Sequence, residues 1–307
     1  MKTIVFERDN LVKWMKLSLV HGLGPKRISQ LFGHFESMEE IFSAPSDKLL
    51  KTGIFSPGML GEFEKLKIAA DEKYFGAIDD CAEKKIQVVP LLDARYPQKL
   101  FDTPSPPLTI FLQGNFSLLK HSPSFAIVGS RNANELARNF AFDSAKALCK
   151  NGFVVISGGA SGIDAEAHKG ALDSNGKTIA IMGTGLSHFY PAENKELFEE
   201  IIKKGLLISE HLPNFPGDRI SFLQRNRITS GLSDGLLFCA SESIKSGTAT
   251  QLKIANSQKK PIFCPNLDLG ILPNFGIKEA ISEYGARQVR DADEIVSAIK
   301  NNIKQAN

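Results

Sequence analysis

Four segments rich in glycine and small hydroxyl residues each follow a short apolar run in the second part of the sequence. They are GSRN at residues 129–132, SGGASG at 157–162, GTG at 183–185 and KSGT at 245–248. Glycine lets the backbone approach a ligand closely, and small hydroxyls with free N–H groups at helix starts suit phosphate. If these segments share one edge of a sheet, they predict a phosphate-binding surface to which Arg131 adds a guanidinium.

Each segment taken alone also has a purely structural interpretation. The stretch from Ser161 to Asp164 matches a capping box, in which Asp164 only closes the start of a helix. The stretch from Asn132 to Glu135 can do the same. The four segments taken together, with Arg131 in the first of them, favour ligand binding.

Familiar nucleotide-binding and catalytic patterns are missing from the sequence. There is no GxxxxGK(S/T) phosphate loop, and GSRNAN stands where a GxGxxG dinucleotide fingerprint would follow the first strand. No histidine has a partner at diagnostic spacing, no acidic pair has metal-ligand spacing, and the four cysteines include no CxxC pair. We therefore expect no catalytic residues, no metal and no cofactor.

An arginine-rich stretch, DRISFLQRNRITS at residues 218–230, reads as a helix. At 100° per residue, its apolar face is marked by Ile220, Leu223 and Ile228. Arg225 then points away from this face and is predicted to contact phosphate. Arg227 falls in the middle of the face and is predicted to pair with a carboxylate, because an unpaired buried charge is costly.

One aromatic segment follows the third apolar run. Phe189 within FYP at residues 189–191 can offer a stacking face to a nucleobase, worth roughly 1–3 kcal/mol per base. Packing beneath the loop is the alternative interpretation.

The elements that must position these residues are readable from residue 124 onward. Apolar runs alternate with helical stretches; the runs are FAIVG (125–129), FVVIS (153–157), TIAIMG (178–183), LLIS (206–209), GLLFCA (235–240) and PIFC (261–264). This alternation predicts an α/β fold with a doubly wound, mostly parallel sheet, and ligands bind at the carboxyl edge of such sheets.

The remaining stretches predict mainly helices. Residues 11–85 read as short helices, with a longer helical stretch at 57–85, whereas LTIFLQ at 108–113 reads as a strand. Further helices are predicted at 134–150, with Leu136, Phe140 and Leu148 on one side, and near 291–304. The segment VHGLGPK at 20–26 resembles the glycine turn of a helix-hairpin-helix, and a plain helix-joining turn is the alternative.

Composition limits the classes of protein to consider. The chain has 307 residues, 42% of them hydrophobic and 23% charged, which is ordinary for a globular protein. No apolar stretch is long enough to span a membrane, and no secretory signal is present. The net charge of +3 is too small to indicate a nucleic-acid partner. The whole excess of basic over acidic side chains lies within residues 86–307.

Seven ordered segments carry a resemblance to a known family. They are ARYPQKLFDTPSPPLTIFLQG, AIVGSR, VVISGGASGIDAEAHKGAL, TIAIMGTGLSHFYPAEN, GLLISE, QRNRITSGLSDGLLFCA and KSGTAT. With them, the sequence resembles the DNA-processing protein A (DprA/Smf) family, the single-stranded-DNA-binding proteins of natural transformation. The region after Leu17 is similar to that family's small N-terminal domain, which is related to the sterile alpha motif.

This resemblance implies an extended Rossmann domain over residues 86–307 and a helical domain resembling the sterile alpha motif over 1–85. Many members of the family end in a winged-helix domain, but only 43 residues follow Cys264 here, so that domain is not expected. It implies a cytoplasmic homodimer that binds single-stranded DNA without sequence preference, and duplex DNA more weakly if at all. It also implies that the protein protects incoming DNA, loads the recombinase RecA and works with single-strand-binding protein. Enzymatic turnover is not expected.

The family's DNA-binding positions carry over to this sequence residue by residue. The expected site consists of Gly129, Ser130, Arg131, Gly159, Ser161, Gly162, Phe189, Arg225, Asn226, Arg227, Lys245, Ser246, Gly247 and Thr248. Ser161 stands where many members have a basic residue, a change for which Lys245 can compensate.

Two other functions stay open at this point. The chain also resembles nucleotide phosphoribohydrolases of the cytokinin-activating type, but Gln251 stands where their GGxGTxxE pattern has its glutamate. An amide cannot act as a general base. The second alternative is an interaction scaffold whose loops bind no DNA.

Overall fold

The computed structural model describes residues 6–120, 123–243 and 247–306. Its α-helices are α1 (Arg8–Ser18), α2 (Pro25–His34), α3 (Met38–Ser43), α4 (Ser46–Lys51), α5 (Pro57–Ile68), α6 (Glu72–Glu83), α7 (Gln98–Phe101), α8 (Glu135–Lys150), α9 (Ile163–Asp173), α10 (Lys195–Lys204), α11 (Arg219–Gln224), α12 (Asn226–Leu232), α13 (Gly247–Ser257), α14 (Phe275–Tyr284) and α15 (Ala292–Ala306). Its strands are β1 (Gln87–Pro90), β2 (Thr109–Gly114), β3 (Ser124–Val128), β4 (Val154–Ser157), β5 (Lys177–Ile181), β6 (Leu206–Ser209), β7 (Leu236–Phe238), β8 (Ile262–Pro265) and β9 (Arg287–Val289).

The chain divides into two compact units. The helical unit comprises Met1–Phe111 with Glu210–Pro213, and the sheet unit comprises Leu112–Ser209 with Asn214–Asn307. The boundary expected between residues 85 and 86 stays a prediction. Within the described residues, no helix combines the length and the apolarity needed to cross a bilayer.

The helical unit is built around α1. Its Trp14 is fully buried and donates its indole N–H to Thr109 Oγ1 at 2.9 Å. The ammonium group of Lys16 is buried as well, and it pairs with Asp71 and donates to Ala69 O at 2.6 Å. The helices predicted for this region are present, but the stretch at 57–85 is two helices, α5 and α6.

The sheet unit confirms the predicted α/β architecture. Seven strands follow the order β6-β5-β4-β3-β7-β8-β9, and every neighbouring pair is parallel. The register pairs Ser124 with Val154 on one side of β3 and Ala126 with Leu236 on its other side. Because the chain winds outward from β3 to β6 and then returns to place β7 beside β3, the direction of winding reverses next to β3.

Apolar residues of the strands and of α8, α9, α13, α14 and α15 form the core of this unit. The predicted helix at 134–150 is α8, but its predicted face is wrong in one residue. Leu136 is 54% exposed, whereas Ala137, Ala141 and Leu148 are buried. Small alanines rather than the larger Leu136 form the buried stripe, so α8 packs closely on its neighbours.

Candidate nucleic-acid interface

A cavity of about 740 Å³ lies at the carboxyl ends of β3 and β7. Its walls come from the loops that follow these strands, from α11 and α12, and from the start of α13. A smaller cavity of about 130 Å³ adjoins it and shares Arg131, Tyr190, Phe222 and Arg225 with it. Ligands bind where the winding of an open α/β sheet reverses, so this is the expected ligand site of the sheet unit.

The structure brings half of the predicted site residues together here. The large cavity is lined by Gly129, Ser130, Arg131, Arg225, Asn226 and Gly247, and the smaller one by Ser161. Neither lining includes Gly159, Gly162, Phe189 or Arg227. Lys245 and Ser246 lie outside the described residues, as does the side chain of Thr248.

Ser130 fixes the shape of the first loop. Its backbone N–H donates to Ala240 O at 2.7 Å, and its Oγ accepts from Asn132 N at 3.1 Å. The next residue, Arg131, is exposed and lines both cavities. Among the described residues its guanidinium has no hydrogen-bond or ion-pair partner, so it is available to an anion entering the cavity.

The burial of the other two arginines is the reverse of the prediction. Arg225 is 6% exposed, and its Nη2 lies 3.6 Å from Asp164 Oδ2. Arg227 is half-buried and donates from Nη1 to Gln224 O at 3.2 Å. The periodicity argument failed because Ile220, which was taken to mark the apolar face, is 63% exposed, whereas Ser221, Arg225 and Ile228 are buried.

Asp164 does not have the capping role that the structural interpretation of its segment gave it. It does not form a capping box with Ser161, since α9 is preceded by Gly162 without any side-chain cap. Ser161 instead donates to Glu193 Oε1, and the Asp164 carboxylate accepts from Ala160 N at 3.4 Å. Asp164 is the buried counterion of Arg225.

Burial acts on the ionisation of both partners. It raises the pKa of Asp164, an effect that the charge of Arg225 opposes. Burial also lowers the pKa of Arg225, which the negative charge of Asp164 counteracts. Because an arginine keeps its proton in proteins, the pair is best described as a buried guanidinium held by a carboxylate.

Gly158 makes room for this pair. A Cβ atom at this position would lie 1.7 Å from Arg225 Nη1, so no residue with a side chain fits while the guanidinium stays in place. Gly158 thus serves the packing of Arg225 as well as the shape of the loop. This purpose is not visible in the sequence.

Gly162 determines the position of the Arg131 loop. Its φ is +76°, and a Cβ there would lie 2.6 Å from Arg131 O. We expect Gly162→Ala to lower the free energy of unfolding by about 2–4 kcal/mol, since it combines backbone strain with overpacking. Urea denaturation measures the loss.

Gly152→Ala is the matched control for that substitution. Gly152 has φ of +83°, but a Cβ there would meet no atom within 4 Å. It should therefore lose only the part due to backbone strain, about 1 kcal/mol. Equal losses in the two variants would show that the close approach to Arg131 contributes nothing.

Phe189, the aromatic residue predicted for the site, lines neither cavity. Phe189 is half-buried and packs on the buried Phe198 with ring centroids 5.5 Å apart, in line with the packing alternative. Tyr190 and Phe222 line both cavities instead, with centroids 5.3 Å apart. They form an aromatic wall beside Arg131.

Among the lining residues outside the predicted site are Asp164, Arg219, Phe222 and Gln251. Arg219 is exposed at the start of α11, directly after Asp218, whose carboxylate caps the helix by accepting from Ser221 N at 2.7 Å. The cap motif preceding a basic residue was the available signal for Arg219. No local signal marks the other three.

The described residues contain no cluster of histidine, cysteine and acidic side chains able to hold a metal. Cys81, Cys239 and Cys264 are buried free thiols, and Cys149 is half-buried. Burial raises the pKa of Cys264 to about 12, so this thiol is not activated as a nucleophile.

Comparisons with known proteins find a matching family and similar solved structures. The family model of DNA recombination-mediator protein A matches residues 87–300. Protein Smf of Synechocystis is 34% identical over 262 residues, which are 81% of this chain but only 63% of that relative.

Two solved structures are similar as well. The structure of DNA processing protein A from Streptococcus pneumoniae has a TM-score of 0.76 and 28% identity, covering 96% of this chain and 98% of that one. A Helicobacter pylori structure that describes the single-stranded DNA binding mode of DNA processing protein A has a TM-score of 0.63 and 26% identity, covering 71% and 97%. The family match over most of the sheet unit, on a fold built as the sequence predicted, shows that this chain belongs to the DNA recombination-mediator protein A (DprA/Smf) family.

Proposed function

We propose that this protein binds single-stranded DNA without sequence preference, in the cavity at the carboxyl edge of its sheet. The observation that carries the proposal is the exposed guanidinium of Arg131, which stands without a protein partner among the described residues on a glycine-supported loop. Contacts to the DNA backbone carry no sequence information, so a site of this kind binds strands of any sequence.

The exposed positive charges of Arg131 and Arg219 support phosphate contacts, although the exposed carboxylates of Asp218 and Glu242 line the same cavity. Arg225 is held by Asp164, so it supplies little free positive charge, whereas Arg131 and Arg219 are exposed on the same cavity. We propose that these two residues contact phosphates and that Arg225 shapes the floor beneath them. The wall formed by Tyr190 and Phe222 offers a stacking face for bases, worth about 1–3 kcal/mol per base.

Family membership supports the wider role. The relatives are named as DNA-processing proteins, and the Helicobacter pylori structure concerns a single-stranded DNA binding mode. We propose that this chain acts as a cytoplasmic homodimer in natural transformation, where it protects incoming DNA and loads RecA in the presence of single-strand-binding protein. We further propose that it turns over no substrate and needs no cofactor.

The phosphoribohydrolase alternative has less support. Gln251 lies in the cavity wall at the position where that activity needs a carboxylate. Release of free base from AMP would revive this alternative.

The test of the proposal is Arg131→Ala. We expect about a tenfold loss of affinity for oligonucleotides of every sequence, because one charge-assisted contact is removed. The slope of log K against log salt should become smaller by about 0.7, the value for one phosphate on a single strand. Fluorescence anisotropy over a salt series measures both quantities.

Arg138→Ala is the matched control. Arg138 is exposed on α8 and lines neither cavity, so its loss should change affinity little. Unchanged binding by Arg131→Ala would remove this residue from the site. An equal loss in both variants would indicate a general effect of net charge instead of a contact.

A further inference from the structure

Gln251 is a buried side chain whose polar atoms have no partner in the part of the chain that the structure describes. It lies near the start of α13, is 1% exposed and lines the large cavity. Within residues 6–120, 123–243 and 247–306, neither its Oε1 nor its Nε2 has a hydrogen-bond partner. The neighbouring cavity amide of Asn226, by contrast, donates to Gly247 O at 3.3 Å.

This arrangement is unfavourable for the protein alone. A buried polar group without a partner costs about 1–3 kcal/mol, and most buried polar groups in proteins are paired. A methionine of similar length would fill the same space without that cost. The two unpaired atoms at the wall of the ligand site therefore point to a ligand group that pairs with them.

The chemistry of the amide narrows the choice of ligand group. It presents a donor, Nε2–H, beside an acceptor, Oε1. Phosphate and sugar oxygens within a DNA strand only accept, so they would leave Oε1 unpaired. The edge of a nucleobase offers an acceptor beside a donor, the pattern that a glutamine pairs with on adenine.

A glutamine also tolerates different bases. Rotation of its amide exchanges the positions of donor and acceptor, so it can match either order of the two groups on a base edge. The ring wall of Tyr190 and Phe222 lies in the same cavity and can hold the plane of that base. A base contact is thus compatible with binding that has no sequence preference.

We infer that Gln251 hydrogen-bonds the edge of one nucleobase of a single strand bound in the large cavity. The inference rests on the proposed function, since it takes the bound strand as given. It adds to the backbone contact at Arg131 a second contact that depends on the bases.

The test compares Gln251→Met with the wild type on two strands. One is a thymidine oligomer, and the other carries difluorotoluene deoxynucleotides, which keep the shape and stacking of thymine but lack strong hydrogen-bonding groups on the edge. The wild type should bind the thymidine oligomer about tenfold more tightly than the analogue strand. Gln251→Met should bind both alike, at the weaker level.

Stability separates this role from a structural one. Gln251→Met should be at least as stable as the wild type in urea, because it removes two unpaired polar atoms. Gln288→Met, in the exposed glutamine of β9 outside the cavity, should bind both strands like the wild type. If Gln251→Met does not fold, the wild type still decides the matter through its discrimination between the two strands.

The outcomes separate the two proposals. Equal binding of both strands by the wild type, or full discrimination by Gln251→Met, overturns the role of Gln251 while leaving DNA binding intact. A wild type that binds neither strand overturns the proposed function, and this inference with it.

Discussion

Replacing Arg225 by methionine is expected to lower the free energy of unfolding by about 3–5 kcal/mol at neutral pH. The substitution leaves the buried carboxylate of Asp164 without its guanidinium, and a charge buried without a counterion is strongly unfavourable. Urea denaturation at pH 7.5 measures the loss.

The loss should become smaller in acid. Burial already raises the pKa of Asp164, and removal of Arg225 raises it further, since Arg225 acts to lower it. A carboxyl group whose pKa is raised in the folded state makes the protein less stable as pH rises from the pKa of the unfolded chain to the pKa of the folded protein. Arg225→Met should therefore be closer to the wild type at pH 5 than at pH 7.5.

Asp164→Asn supplies the control for this prediction. In the double variant with Arg225→Met no charge is left to bury, so its stability should exceed that of Arg225→Met alone at pH 7.5. Its difference from Asp164→Asn should not depend on pH. Additive losses for the two single changes would contradict a direct ion pair.

A buried histidine predicts a second large effect, in the response of stability to acid. His168 is fully buried; its Nδ1 lies 2.7 Å from Thr178 Oγ1, and its Nε2 has no partner among the residues that the structure describes. Thr178 Oγ1 donates its own proton to Val155 O at 2.9 Å, so Nδ1 must carry the imidazole proton. Burial, assisted by the charge of Arg225, lowers the pKa of His168 to about 3.

The sign of the effect follows from this lowered pKa. The unfolded chain binds a proton at this histidine below about pH 6.5, whereas the folded protein does not until about pH 3. His168 therefore lowers the free energy of unfolding as pH falls from about 6.5 to about 3. Well below pH 6.5, the decrease is about 1.4 kcal/mol per pH unit.

Urea denaturation at pH 7, 6, 5 and 4.5 should show this loss as a difference in slope between the wild type and His168→Gln. The glutamine keeps a donor for Thr178 and has no charge to gain, so its stability should fall less steeply in acid. Thr178→Val is the control, because it removes the hydrogen bond but keeps the imidazole, and it should retain the wild-type slope. Parallel slopes for the wild type and His168→Gln would show that His168 is protonated in the folded protein.

The order of strands and helices was largely predictable from the sequence. A strand that is buried on both faces of a sheet must be a continuous apolar run, and such runs are easy to recognise. Continuous apolar runs identified β3 to β8, and the helix at 134–150 was found within a residue or two. Two short strands, β1 and β9, were not predicted. β9 has only one buried residue of its three, so it carries no apolar run.

Periodicity was a poor guide where a helix was interrupted. The predicted stretch at 57–85 breaks after Ile68 without a proline or glycine, and the segment at 218–230 is divided into α11 and α12. A projection at 100° per residue assumes one straight axis. The projection also depends on the residues chosen to mark the apolar face. At 218–230 that face was drawn through Ile220, which is 63% exposed, whereas Ser221, Arg225 and Ile228 are buried. For this reason the projection placed Arg225 on the exposed side.

The sequence alone determined that glycine-rich loops would follow parallel strands and that Arg131 would lie in the first of them. The physical reason is local: short apolar runs must be buried, and the ends of parallel strands share one edge. Only the tertiary structure decided that β7 returns beside β3, that Asp164 neutralises Arg225 and that Gln251 is left unpaired in the cavity wall. These features depend on contacts between residues far apart in the chain, which no local pattern encodes.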